Sequence, residues 1–180
     1  MKKIIFPTVI VLTAVLYFGC KKKKTNVEFD VQYSTDIAIP TYSAANQTYT
    51  IISNDILTNM ASELSNNNTT EDLVGEMKYT KFDVSVKTPT TQSLSFLKQM
   101  KVYINANNQP EQQIAFKYNE KQDTIKPTDK STSFHINSNN LKNRFVENSV
   151  YFKIKFMPGY IPVSTTITVT HNIHVKAITK

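Results

Sequence analysis

The chain has 180 residues, 21 Lys and Arg against 14 Asp and Glu, and one cysteine. That length supports one domain burying roughly 70% of the surface its unfolded chain exposes, and leaves no room for a second core. A single cysteine excludes an internal disulfide, and three glycines exclude a glycine-rich phosphate loop, which needs several close together.

The formal charge of +7 is concentrated at the N-terminus. Lys2 and Lys3 precede the cysteine, Lys21, Lys22, Lys23 and Lys24 follow it, and every acidic residue lies beyond them. The rest of the chain sets 15 basic residues against 14 acidic ones, a balance that gives no reason to expect nucleic acid as a partner.

The first element is residues 1–19: a charged start, an apolar run from Ile4 to Phe18, then Gly19 directly before Cys20. Fifteen residues is the core of an export signal and short of the roughly 20 that a membrane-spanning helix needs. The Gly19-Cys20 pair resembles the end of a bacterial lipoprotein signal, although Tyr17 stands where that pattern most often has Leu. The resemblance implies cleavage before Cys20, lipid on its thiol, and a basic tether over 20–26 with Lys21 to Lys24 against the membrane surface. A single domain then spans 27–180. Bacteroidetes lipoproteins sent to the cell surface carry acidic or serine-rich residues after this cysteine, so four lysines imply a periplasm-facing body on the inner or outer membrane.

Alternation opens the domain, with Val27, Phe29, Val31, Tyr33, Ile37 and Ile39 on one face until Pro40. A short run from Thr48 to Ile52 can add a strand. Ser53 ahead of Ile56, Leu57, Met60 and Leu64 predicts a serine-capped amphipathic helix, and Thr69 or Thr70 ahead of Glu71 and Asp72 predicts a second capped turn.

Strand signals then return. Phe82, Val84 and Val86 alternate before Thr88-Pro89-Thr90, Val102 and Ile104 face inward, and Ile114, Phe116 and Tyr118 form the next inward set beyond Asn107 to Pro110. Residues 119–133 read as a long exposed loop, 134–136 as a brief strand and 141–146 as a helical turn. Val150, Phe152, Ile154 and Phe156 alternate most cleanly, and Ile167, Val169, Ile173 and Val175 complete the pattern. The fold expected is mainly β, an antiparallel immunoglobulin-like β-sandwich with one or two short connecting helices. A small barrel is the alternative.

Few side chains converge in a way that suits catalysis. His171 and His174, three apart on a strand, face opposite sides and cannot share a metal, and His135 stands apart from them. No serine has a nucleophile-elbow setting, and Glu71-Asp72 fits helix capping better than calcium or acid-base work. No metal, cofactor or catalytic set is expected.

One surface pattern stands out. Lys101, Tyr103 and Asn105 on one strand and Tyr151, Lys153 and Lys155 on another form a candidate ligand face if the two strands are neighbours. Tyrosine offers flat apolar area and lysine charge, a pairing suited to glycans or anionic ligands. The simpler alternative is a solvated sheet face whose lysines discourage edge aggregation. Asp123-Thr124-Ile125 resembles the short Bacteroidetes O-glycosylation sequence, which implies modification at Thr124; the stretches from Phe29 to Thr35 and from Asn68 to Val74 resemble the texture of uncharacterised lipoproteins of that group. The expected role is a non-enzymatic envelope module that binds or scaffolds another envelope protein or a glycan. The alternatives are a periplasmic inhibitor or immunity-type protein and, third, an envelope hydrolase.

Overall fold

The computed structural model describes residues 24–41, 47–105, 109–118, 124–137, 139–145, 149–159, 161 and 163–180. Cys20, Lys21, Lys22, Lys23 and Asp123 lie outside them. The protein is mainly β, with antiparallel pairing throughout the two sheets.

The first sheet holds β1 (Asn26–Ile39), β10 (Thr165–Ile178), β4 (Val74–Thr88) and β7 (Ser131–Ser133), in that order. The second runs β2 (Tyr49–Ile52), β9 (Ser149–Pro158), β5 (Leu97–Asn105), β6 (Gln112–Tyr118) and β8 (His135–Ile136), with β3 (Ile56–Leu57) beside β9 past the end of β2. Four pairs are nested in the chain: β1 with β10, β2 with β9, β4 with β7, and β5 with β6. The chain is thus a long antiparallel ribbon rolled up so that β10 meets β4 and β9 meets β5. That is the strand order of a jelly roll.

The immunoglobulin-like order expected from the sequence would place the first two strands side by side in one sheet. Here β1 and β2 belong to different sheets, and the sheets stay open, so the small barrel is not adopted either. Alternation fixes which side of a strand is buried and carries no record of its partner.

The inner faces of both sheets share one core that includes Val31, Phe82, Val102, Phe152, Phe156 and Ile173. Phe82 and Phe152 meet edge to face across the two sheets, 5.7 Å between ring centroids. In β4 a register shift opposite Asn172 and Ile173 changes the phase of alternation, so that Met77 and Tyr79 face inward before Thr80-Lys81 and Phe82 and Val84 after it.

Three local expectations are corrected. The pairing of β6 with β5 shifts between Val102 and Tyr103, so Ile114 and Ala115 are both buried and Phe116 turns to the other face. Phe116 there stacks on His135 at 5.3 Å and meets Tyr118 at 5.4 Å. The predicted Ser53-capped helix is shorter: Ile56 and Leu57 are β3, and α1 spans Met60–Asn66 with Asn59 as its cap residue. Ser53 instead exchanges two bonds with Phe152: its N–H donates to the carbonyl and its Oγ accepts the N–H, both at 2.8 Å. Finally, the segment read as an exposed loop buries Ile125 and ends in β7, while Leu94 N–H donates to Asp129 O at 2.7 Å. The helical turn near 141–146 is α2 (Lys142–Phe145).

His171 occupies the centre of the core at 0% exposure. The rings of Phe152, Tyr79, Tyr33 and Phe82 surround it at 5.1, 5.3, 5.5 and 6.1 Å. Neither ring nitrogen has a hydrogen-bond partner among the described residues. Burial disfavours the charged ring and pushes its pKa down to about 3. The same burial raises Tyr79 well above its usual value and, with Glu63 adding a smaller effect, Tyr33 to about 12.

Two predictions follow from this core. Phe152→Ala or Phe156→Ala should lower stability by roughly 3–5 kcal/mol in denaturant titration, whereas Phe116→Ala should cost no more than about 1 kcal/mol because it leaves the core intact. Below pH 6.5 the unfolded chain protonates His171 while the folded chain does not. Stability should therefore fall between about pH 6.5 and about pH 3, by up to about 1.4 kcal/mol per unit from this residue. His171→Phe should remove that component with an unchanged or higher melting temperature, and equal acid sensitivity in the variant would overturn the assignment.

Candidate functional site

The candidate face forms because β5 and β9 are neighbours. Lys101 lies opposite Lys155, Tyr103 opposite Lys153, and Asn105 opposite Tyr151. Alternation that buries Val102, Ile104, Phe152 and Ile154 sends the residues between them to the outer side of the second sheet. Asn105 departs from the group: it is 9% exposed, and its Nδ2 has no partner among the described residues.

The register extends the face beyond the sequence reading. Thr50, Lys155, Lys101, Phe116 and His135 form one row across five strands, and Ile52, Lys153, Tyr103 and Gln113 form the next. Phe116, Tyr118 and His135 were not anticipated because the bulge in β6 has no signature in the residues around it. Ile52 and Leu57, exposed at 62% and 75%, mark the rim.

The charges on this face are incompletely paired. Glu111 Oε1 accepts from Lys153 Nζ at 2.9 Å and lies 3.7 Å from Lys155 Nζ. The hydrogen bond from Lys153 is the main reason its carboxyl is held below the usual range. Lys155 Nζ also stands 4.5 Å from the centre of the Tyr103 ring, and Lys101 Nζ 5.8 Å from that of Tyr118. Among the described residues one carboxylate therefore serves Lys153 and Lys155, and Lys101 has none. Buried Arg144 of α2 holds the segment that carries Glu111, with Nε donating to Gln112 Oε1 at 2.9 Å and Nη2 to the Pro110 carbonyl.

The outer face of the first sheet is arranged differently. Lys78 pairs with Glu76 at 2.6 Å, Lys81 with Asp83 at 2.8 Å, Lys87 with Asp36, and Lys176 with Glu28 at 3.7 Å. His174 lies 2.9 Å from Asp30 and 3.4 Å from Glu28. Each lysine there has its own carboxylate. His171 and His174 do point to opposite sides of β10, one into the core and one into this ladder.

The remaining candidates are separate from the basic face. Glu71 and Asp72 open a 3₁₀ turn at Glu71–Leu73, and a hydrogen bond from Thr70 is the main cause of a lowered Asp72 pKa. Among the described residues no group of three or more His, Cys, Asp or Glu could hold a metal ion. Thr124 is exposed, and Lys24, the one described lysine of the basic tether, is exposed as well.

No protein family matches the chain, and no curated protein does. A chain of Desmodium yellow mottle tymovirus is similar at 8% identity over 100% of this chain and 97% of that one, with a TM-score of 0.25.

Proposed function

We propose that the protein is a non-enzymatic binding module of the bacterial cell envelope, anchored by lipid on Cys20 and facing the periplasm, that engages another envelope component through the outer face of β5 and β9. The observation that carries this reading is the contrast between the two outer faces. Where every lysine of the first sheet has a carboxylate partner, Lys153 and Lys155 share Glu111 and Lys101 has no carboxylate among the described residues, over a floor of aromatic rings.

Anchoring supports the same role. One acyl chain gives marginal attachment, and the modification seen in bacterial lipoproteins supplies two or three. Lys21 to Lys24 would each add on the order of 1 kcal/mol beside an anionic leaflet. The tether then runs directly into β1, whose start is tied to the end of β10 by Thr179 N–H donating to Thr25 O at 2.9 Å.

Two experiments test the two halves of the proposal. Cys20→Ser should abolish labelling by a palmitate analogue, and protease added to intact cells should leave the protein uncut. Labelling that survives would sink the anchor, and digestion would sink only the inward orientation. Tyr103→Ala with Tyr151→Ala should leave the melting temperature within about 2 °C of the parent while abolishing cross-linked capture from native membranes. Capture that persists would return the face to a solvated surface.

A further inference from the structure

We propose that the ligand of the β5 and β9 face is an acidic saccharide chain, one bearing carboxylate, sulfate or phosphate groups along its length. This rests on the binding-module reading above and names its ligand class.

Charge sets the first requirement. Lys101 and Lys155 stand directly opposite each other, and like charges in that position repel. Each ammonium is placed over a tyrosine ring, and among the described residues Lys101 has no carboxylate. Lys153, two residues from Lys155, extends the positive area along β9 by about 7 Å. The three cations are thus distributed over two strands and two rows, an arrangement that meets several separated anionic groups better than a single ion.

The ring content sets the second requirement. Tyr103, Phe116, Tyr118 and His135 are set among the cations, and an aromatic face stacks well on the apolar face of a sugar ring. Gln113 beside Tyr103 and Thr50 beside Lys155 supply neutral hydrogen-bonding groups suited to hydroxyls. A lipid surface is a poorer fit, since the two strongly exposed aliphatic side chains, Ile52 and Leu57, lie at one edge and the centre is polar and aromatic.

Glu111 gives the proposal a distinctive signature. Its carboxylate occupies Lys153 and Lys155 in the free protein and competes with an incoming anion.

The test uses the lipidated full chain in neutral detergent micelles, with calorimetric titration of polygalacturonate and of its fully methyl-esterified form. The acid should bind, more weakly as salt rises, and the ester should not. Lys101→Gln with Lys155→Gln should weaken binding roughly tenfold, while Glu111→Gln should tighten it by about threefold. A purely structural role for Glu111 predicts the opposite sign, loss of binding. Equal binding of acid and ester overturns the charge requirement. Displacement of polygalacturonate by phosphatidylglycerol added to the micelles assigns the face to a membrane surface and overturns the saccharide. Displacement of polygalacturonate by millimolar inorganic phosphate reduces the site to a single-anion site and overturns the chain. If polygalacturonate fails while Tyr103→Ala still abolishes cross-linked capture, the saccharide falls and the binding module stands; if capture is also unaffected, both fall.

Discussion

The pairing of β1 with β10 constrains the rest of the molecule. Both strands are 14 residues long and match along their whole length, from Asn26 opposite Ile178 to Ile39 opposite Thr165. With β1 on one side and the 15-residue β4 on the other, β10 is central to a sheet of long strands. Most inward-facing residues of those strands are apolar and need cover, and the segments between them in sequence supply it as a second sheet. The other nested pairs lie inside this one: β2 pairs with β9 and β5 with β6, and the ribbon closes over its own apolar side. Long-range closure of this kind loses chain entropy before it gains contacts, so folding is expected to be slow relative to helical domains of the same size.

That packing accommodates a polar ring at its centre. His171 carries two nitrogens without partners among the described residues and is tolerated because burial keeps it neutral among four other rings. An unpaired buried polar group costs about 1–3 kcal/mol, which the contacts of Phe82, Phe152 and Tyr79 with the same ring offset in part. The placement also explains why the three histidines form no site. One is sealed in the core, His174 belongs to a surface charge ladder, and His135 lies on Phe116 in the other sheet.

The strands and their buried sides were legible in the sequence. Phe82, Val84, Val102, Ile104, Ile114, Phe152, Ile154 and Phe156 are all buried as alternation requires, and β5 and β9 are the neighbours that the candidate face needed. Strand order was not legible, because a period of two is the same in an immunoglobulin order and in a rolled ribbon. Phe116 was misplaced for a related reason: one extra residue inverts every face beyond it, and nothing in Gln112-Gln113-Ile114-Ala115 marks the bulge. The helix after Ser53 was shortened because Ile56 and Leu57 fit a strand pattern as well as a helical one, and the free edge of β9 beyond β2 took them.

The position of the basic face within its sheet bears on why it is there. Lysines guard exposed sheet edges against pairing with other chains, and that was the simplest reason for finding them on strands. Yet β9 and β5 are interior strands, with β2 and β3 on one side and β6 and β8 on the other, so Lys101, Lys153 and Lys155 guard no edge. Solubility does not account for one carboxylate among these three lysines either, since the first sheet presents four lysines with a carboxylate partner for each. A pair of lysines held opposite each other on interior strands weakens the isolated sheet slightly. The arrangement becomes favourable when negative charge from another molecule lies across it, as the proposed ligand would supply.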